Sequence, residues 1–155
     1  MSVYVIALLM GVVAGLRAMT APAAVSWAAH LGWLPLQGTP LAFLGYAATP
    51  WIITVLALLE LVTDQLPSTP SRKVPVQFGT RIVVGALCGA ALGMPSGVWI
   101  GGLVAGVVGA LVGTLGGAKA RGALAQSFGR DLPAALIEDV VAIGGAVLLV
   151  LSIAR

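Results

Sequence analysis

Charged side chains are too scarce in this chain to clothe a folded domain in water. Eight Lys and Arg and five Asp and Glu are spread over 155 residues, 8% of the total, against 59% hydrophobic residues. A soluble domain carries roughly 25% charged residues, so most of this surface must face something other than water. A lipid bilayer meets that need, and the mean hydropathy of +1.08 agrees. The same scarcity gives weight to the charges that remain, because an ionisable group in hydrocarbon costs roughly several kcal/mol unless it is paired or hydrated.

The formal net charge of +3 does not indicate a nucleic-acid partner, since no basic cluster is longer than Arg72-Lys73. Basic cytoplasmic loops account for the excess. The single cysteine, Cys88, lies in an apolar run and has no intrachain partner. Neither a CxxC nor a His/Cys cluster suggests zinc, and no cofactor is expected. The first residues lack a basic n-region, so the first apolar segment is expected to be a retained helix rather than a signal peptide.

Apolar segments run from about Val3 to Leu16, Ala21 to Trp33, Leu41 to Val62, Ile82 to Leu92, Val98 to Leu115 and Ala134 to Ile153. A perpendicular span needs roughly 20 residues. The third, fifth and sixth reach or approach that length, and the others are short. Residues 3–33 form either one long helix kinked at Pro22 or two short helices joined by a Gly15–Thr20 turn. An end signal at Gly15, an N-cap at Thr20 and Pro22 in a first turn favour two. Thr49-Pro50 and Asp131 followed by Pro133 mark further starts, and Gly93–Gly97, with Pro95, marks a tight break.

The fold expected is therefore a single all-α membrane domain over 1–155, a polytopic bundle of five or six helices. Two inverted halves of three helices, 1–72 and 73–155, are the layout compared with transporters. The connections around 34–48 and 93–97 carry no Lys or Arg, whereas alternate ones hold Arg17, then Arg72, Lys73 and Arg81, then Lys119, Arg121 and Arg130. With six helices the positive-inside rule puts both termini outside the cytoplasm, with Trp33, Tyr46, Trp51 and Trp99 near the outer interface, and with five only the N-terminus changes side. Glycine spacings of four, as at Gly109 and Gly113, predict close helix packing, within the subunit or between subunits of a homo-oligomer.

Few residues are candidates for chemistry. Glu60 and Asp64 are four apart and share a helix face. Glu138 and Asp139 lie about two turns into the last helix, Arg17 in the first turn region, and Arg81 at the start of the fourth helix. The topology brings all six to one leaflet. They form either an ion-paired lock, such as Arg17 or Arg81 with Glu60, or a polar vestibule for an ion, proton or lipid headgroup. N–H groups at Thr20 to Ala23, beside Arg17, offer a small anion site. His30, between Trp27 and Trp33, reads as an interfacial residue. No nucleophile–base pair, Walker loop or HExxH occurs, so enzymatic chemistry lacks support.

Two segments resemble a known family. Gly15-Leu16-Arg17-Ala18-Met19-Thr20-Ala21-Pro22-Ala23-Ala24, and Glu60-Leu61-Val62-Thr63-Asp64-Gln65-Leu66-Pro67 leading to Pro70-Ser71-Arg72, are similar to the domain of unknown function 4126 family of small bacterial integral membrane proteins. The resemblance transfers a break glycine to Gly15 and an acidic pair with a following proline to Glu60, Asp64 and Pro67. It implies a location, the bacterial cytoplasmic membrane, and no activity. The functional expectation is a small transporter or channel-like protein for an ion or polar solute, with Glu60 and Asp64 or Glu138 binding or relaying it. A non-catalytic scaffold packed through glycine stripes is the alternative, and a metal-dependent lipid-phosphate enzyme is a more distant one.

Overall fold

The computed structural model describes residues 2–64 and 75–154. Six α-helices follow one another: α1 (Val3–Leu16), α2 (Thr20–His30), α3 (Thr49–Thr63), α4 (Pro75–Gly93), α5 (Trp99–Phe128) and α6 (Asp131–Ala154). Short 3₁₀ turns at Ala42–Gly45 and Met94–Ser96 complete the described structure. The region 3–33 is two helices, not one kinked helix. Arg17 has an extended backbone (φ −140°, ψ 112°) that ends α1, and Pro22 sits buried in the first turn of α2. No N–H of Pro22 is needed there.

Three helices, α4, α5 and α6, are long and apolar enough to cross a membrane, and α1 and α3 are shorter apolar helices. This changes three of the expected spans. The third is shorter than expected: residues 42–45 turn off as 3₁₀, and α3 proper begins at Thr49 with Pro50 in its first turn. The fourth is longer, because α4 continues back through Gln77 and Phe78 to Pro75. The fifth runs well past Leu115 through Lys119 and Arg121, which were expected in a connection, and stops at Gly129 in the left-handed region (φ 75°). Nothing in 116–128 breaks a helix, so the helix outlasts the apolar run.

The centre is α1, α4 and α5, packed backbone to backbone. Its surfaces are made of glycine. A Cβ on Gly15 would lie 2.5 Å from the Thr114 nitrogen, and one on Gly85 would lie 2.8 Å from the Gly106 carbonyl oxygen. Gly109 and Gly113 press on the carbonyls of Leu8 and Val12 in α1. The stripe of α5 is thus consumed within the chain. This is the association expected where lipid removes any hydrophobic drive between helices and close van der Waals contact takes its place. The α5–α6 and α2–α3 pairs flank that centre, and α2 also touches α4 and α6. Val3, Trp33, Leu92, Pro95 and Ile153 line one apolar cavity of about 220 Å³, which fixes the shared end of α1, α4 and α6.

A side chain at Gly109 has no room, whereas Gly144 has nothing within 4 Å of its would-be Cβ. Gly109→Val is expected to cost about 1–3 kcal/mol or more, and Gly144→Ala to be neutral or stabilising by up to about 1 kcal/mol. Unfolding of the detergent-purified variants checks this, and equal melting of Gly109→Val and wild type would refute the seam.

Candidate functional site

Arg17 forms the middle of the site. Arg17 lies in the break between α1 and α2, as expected, and the break carries its side chain into the bundle, where it is fully buried (0% exposed). Its Nε donates to Asp139 Oδ1 at 2.6 Å, and Nη2 pairs with the same oxygen. Its Nη1 donates to Asp64 Oδ2 and lies 3.8 Å from Glu138 Oε1. One guanidinium thereby ties the α1–α2 break to the end of α3 and to α6. A planar fork with five donors suits that task in a way a lysine ammonium would not.

Arg81, 2% exposed, completes a second node. Its Nη1 donates to the Gly15 carbonyl at 2.8 Å, and Nη2 lies 3.6 Å from Glu60 Oε1 and 3.7 Å from Asp64 Oδ2. The Thr114 hydroxyl reaches the same carbonyl at 3.5 Å. A carbonyl of the last turn of α1 has no intrahelical partner, so Arg81 satisfies a group that the break itself exposes.

Glu60 satisfies the opposite end of the break. Its Oε1 accepts from the Ala18 N–H at 2.8 Å, and Oε2 from the Met19 N–H at 2.7 Å. Met19 is the N-cap of α2 and has no side-chain cap of its own; Thr20 is buried as the first helical residue, so the cap expected at Thr20 is supplied from α3 instead. A carboxylate at a helix N-terminus is stabilised by the backbone dipoles and charge-assisted hydrogen bonds. The anion that occupies this position is the protein's own Glu60.

Six of the expected residues, Arg17, Glu60, Asp64, Arg81, Glu138 and Asp139, are thus gathered in one cluster, and Thr20 and Gly15 border it. Pro22 and Pro95 mark the start of α2 and the 3₁₀ turn, Gly109 and Gly113 belong to the seam, and Pro67 lies outside the described residues. Among the described residues no three His, Cys, Asp or Glu are grouped to hold a metal ion; the arginines stand between the carboxylates. His30, exposed, places Nδ1 3.2 Å from the Gly45 carbonyl at the aromatic end.

Arg121 escaped sequence reasoning as a site residue. It donates to Asp131 from Nε at 3.0 Å and Nη2 at 2.6 Å, and from Nη2 to the Asp64 carbonyl at 3.2 Å. The signal was present in principle: once α5 is allowed to run to 128, Arg121 and Asp131 face each other across a Gly129 hairpin.

This geometry defines a class: an all-α polytopic membrane protein that buries an arginine–carboxylate cluster where a helix breaks. The chain belongs to the family described as domain of unknown function (DUF4126), whose profile matches residues 4–152. Neither a curated protein nor a solved structure matches it significantly.

Removing one partner of a buried ion pair leaves an uncompensated charge at a cost of about 3–5 kcal/mol. Arg17→Met is therefore expected to lose that much stability, with partial recovery when Asp139→Leu is added. Thermal unfolding of the single and double variants measures it; an Arg17→Met protein that melts like wild type would show that the cluster carries no structural load.

Proposed function

We propose that the protein is a small transporter or channel-like protein of a bacterial cytoplasmic membrane, acting on a proton or small cation at the arginine–carboxylate cluster. One observation carries this reading: carboxylates from α3 and α6 and arginines from the α1–α2 break and α4 converge inside an apolar bundle. Charged groups at such depth are expensive and characteristically line ion or proton paths. Arg17 and Arg81 stand beside these carboxylates as fixed counter-charges, and this reading takes the proton as the mobile species. Arg17, in reach of Asp64, Glu138 and Asp139, holds neighbouring acceptors between which a proton can be passed.

In this reading both termini face outward, the cluster lies toward the cytoplasmic leaflet, and copies of the chain associate through lipid-facing surfaces. A scaffold is the second reading, supported by the glycine seam and by the pairing of Arg17 and Arg81 with carboxylates. Proteoliposomes under a pH gradient separate the two. A transporter dissipates the gradient faster than protein-free vesicles, and Glu138→Gln or Asp139→Asn returns the rate to that of empty vesicles while the protein stays folded. Wild-type vesicles as tight as protein-free ones, across a panel of small cations as well, would leave the scaffold.

A further inference from the structure

Helix α3 is bound to the bundle unlike any other. It buries only Pro50 and Ala57, whereas α1, of nearly equal length, buries seven of its fourteen residues. Trp51, Ile52, Val55, Leu58, Leu59 and Val62 are each more than half exposed. Among the described residues the α3 backbone packs closely against α2 and the 3₁₀ turn at 42–45, and makes no comparable approach to α1, α4, α5 or α6. Its sequence contains no glycine, so it has no surface with which to enter the seam.

The attachments of α3 are of two kinds. Near its start, the Trp27 Nε1–H donates to Thr54 Oγ1 at 2.9 Å, and Trp27 meets Trp51 edge to face at 5.0 Å between ring centroids. These contacts tie α3 to α2. Near its end, Glu60 grips the Ala18 and Met19 N–H groups, Arg81 faces Glu60 and Asp64, and Arg17 holds Asp64. The link from the end of α3 to α4, and through Arg17 to the break before α2, is therefore electrostatic rather than packed.

We propose that α3 is a charge-latched gate: its carboxylates are the bolt, the α2 N-terminus with Arg17 and Arg81 is the socket, and the 42–48 segment is the hinge. Neutralising Glu60 and Asp64 removes the attraction to both arginines and to the α2 N-terminus together. Among the described residues α3 packs on the core through Ile53 and Ala57, ahead of its acidic end, and its last turn enters no glycine seam. The groups facing this bolt are Arg17 before α2, Arg81 on α4, Glu138 and Asp139 on α6, and Arg121 on α5 through the Asp64 carbonyl. Release favours Glu138 and Asp139 as the remaining partners of Arg17, so the guanidinium stays buried while α3 leaves. The inference goes beyond transport: the gate opens or stays shut whether or not a solute crosses.

Spin-label distances in lipid nanodiscs test it, on a Cys88→Ala background. Leu58→Cys and Val108→Cys report α3 against α5; Val104→Cys and Leu148→Cys report α5 against α6 as a control, all four sites being exposed. In the Glu60→Gln/Asp64→Asn double variant the α3–α5 distance is expected to lengthen and broaden while the control distance stays fixed. The native protein should make the same change as pH falls from about 8 to about 3, a range that brackets ordinary carboxylates. A folded double variant with an unmoved α3 overturns the proposal. Should the double variant not fold, the acid series decides: α3 moving before the control pair upholds the latch, and both moving together, or neither, overturns it. A moving α3 in vesicles that pass no protons would uphold the latch and sink the transport reading.

Discussion

Two guanidinium groups and four carboxylates gathered in an apolar bundle must be neutralised largely by one another, because both arginines are buried away from the surface. Arg17 meets that constraint from the break between α1 and α2, and the rest of the architecture follows from where it sits. A break in that position strands the last carbonyls of α1 and the first N–H groups of α2. Arg81 takes the Gly15 carbonyl, and Glu60 takes the Ala18 and Met19 N–H groups. The charged cluster and the helix break therefore stabilise one another. Each supplies the hydrogen-bond partners that the other would otherwise lack in a medium without water.

Such a cluster demands accurate placement, and the glycine seam provides it. With α1, α4 and α5 in backbone contact, Gly15, Arg81 and Thr114 are held on adjacent turns of three helices. A looser interface of large side chains would leave these groups free to separate by more than a hydrogen bond tolerates. The seam contributes rigidity on one side of the cluster, and α3 contributes charge without rigidity on the other. That asymmetry is the property on which a moving part can be built.

Composition made the class legible, the apolar segments left the count at five or six helices, and the Gly15–Pro22 signals located the break. The shared face of Glu60 and Asp64 was also legible, because a four-residue spacing is a local fact. What sequence could not supply was distance across the fold. Arg17 and Asp139 are 122 positions apart, and nothing local pairs them. Hydropathy also misjudged the helix ends. It treated Lys119 and Arg121 as loop residues, although alanine-rich 116–128 continues helically beyond the apolar run. Thr20 carries an N-cap signature, yet an acid from another helix took that role, because a charged cap outcompetes a hydroxyl where the medium is apolar.

Depth decides what the cluster can exchange with. At 1.5 Å per residue, the path back from Glu60 to Thr49 covers about 16 Å, from Arg81 to Gly93 about 18 Å, and from Asp139 to Ile153 about 21 Å. A hydrocarbon core is about 30 Å thick, so an interface at the aromatic end would set the cluster beyond the midplane. The space between holds the seam and apolar side chains, and its groove of about 420 Å³ beside Leu41, Leu87, Met94 and Trp99 is apolar as well. In the other direction, Lys119 lies only about 8 Å beyond Thr114 along α5. The cluster thus lies nearer the basic end than the aromatic end. A swing of α3 about residues 42–48 would open that basic end, where Glu60 and Asp64 sit, and would leave the aromatic half, where Trp27 meets Trp51 and Thr54, as the barrier.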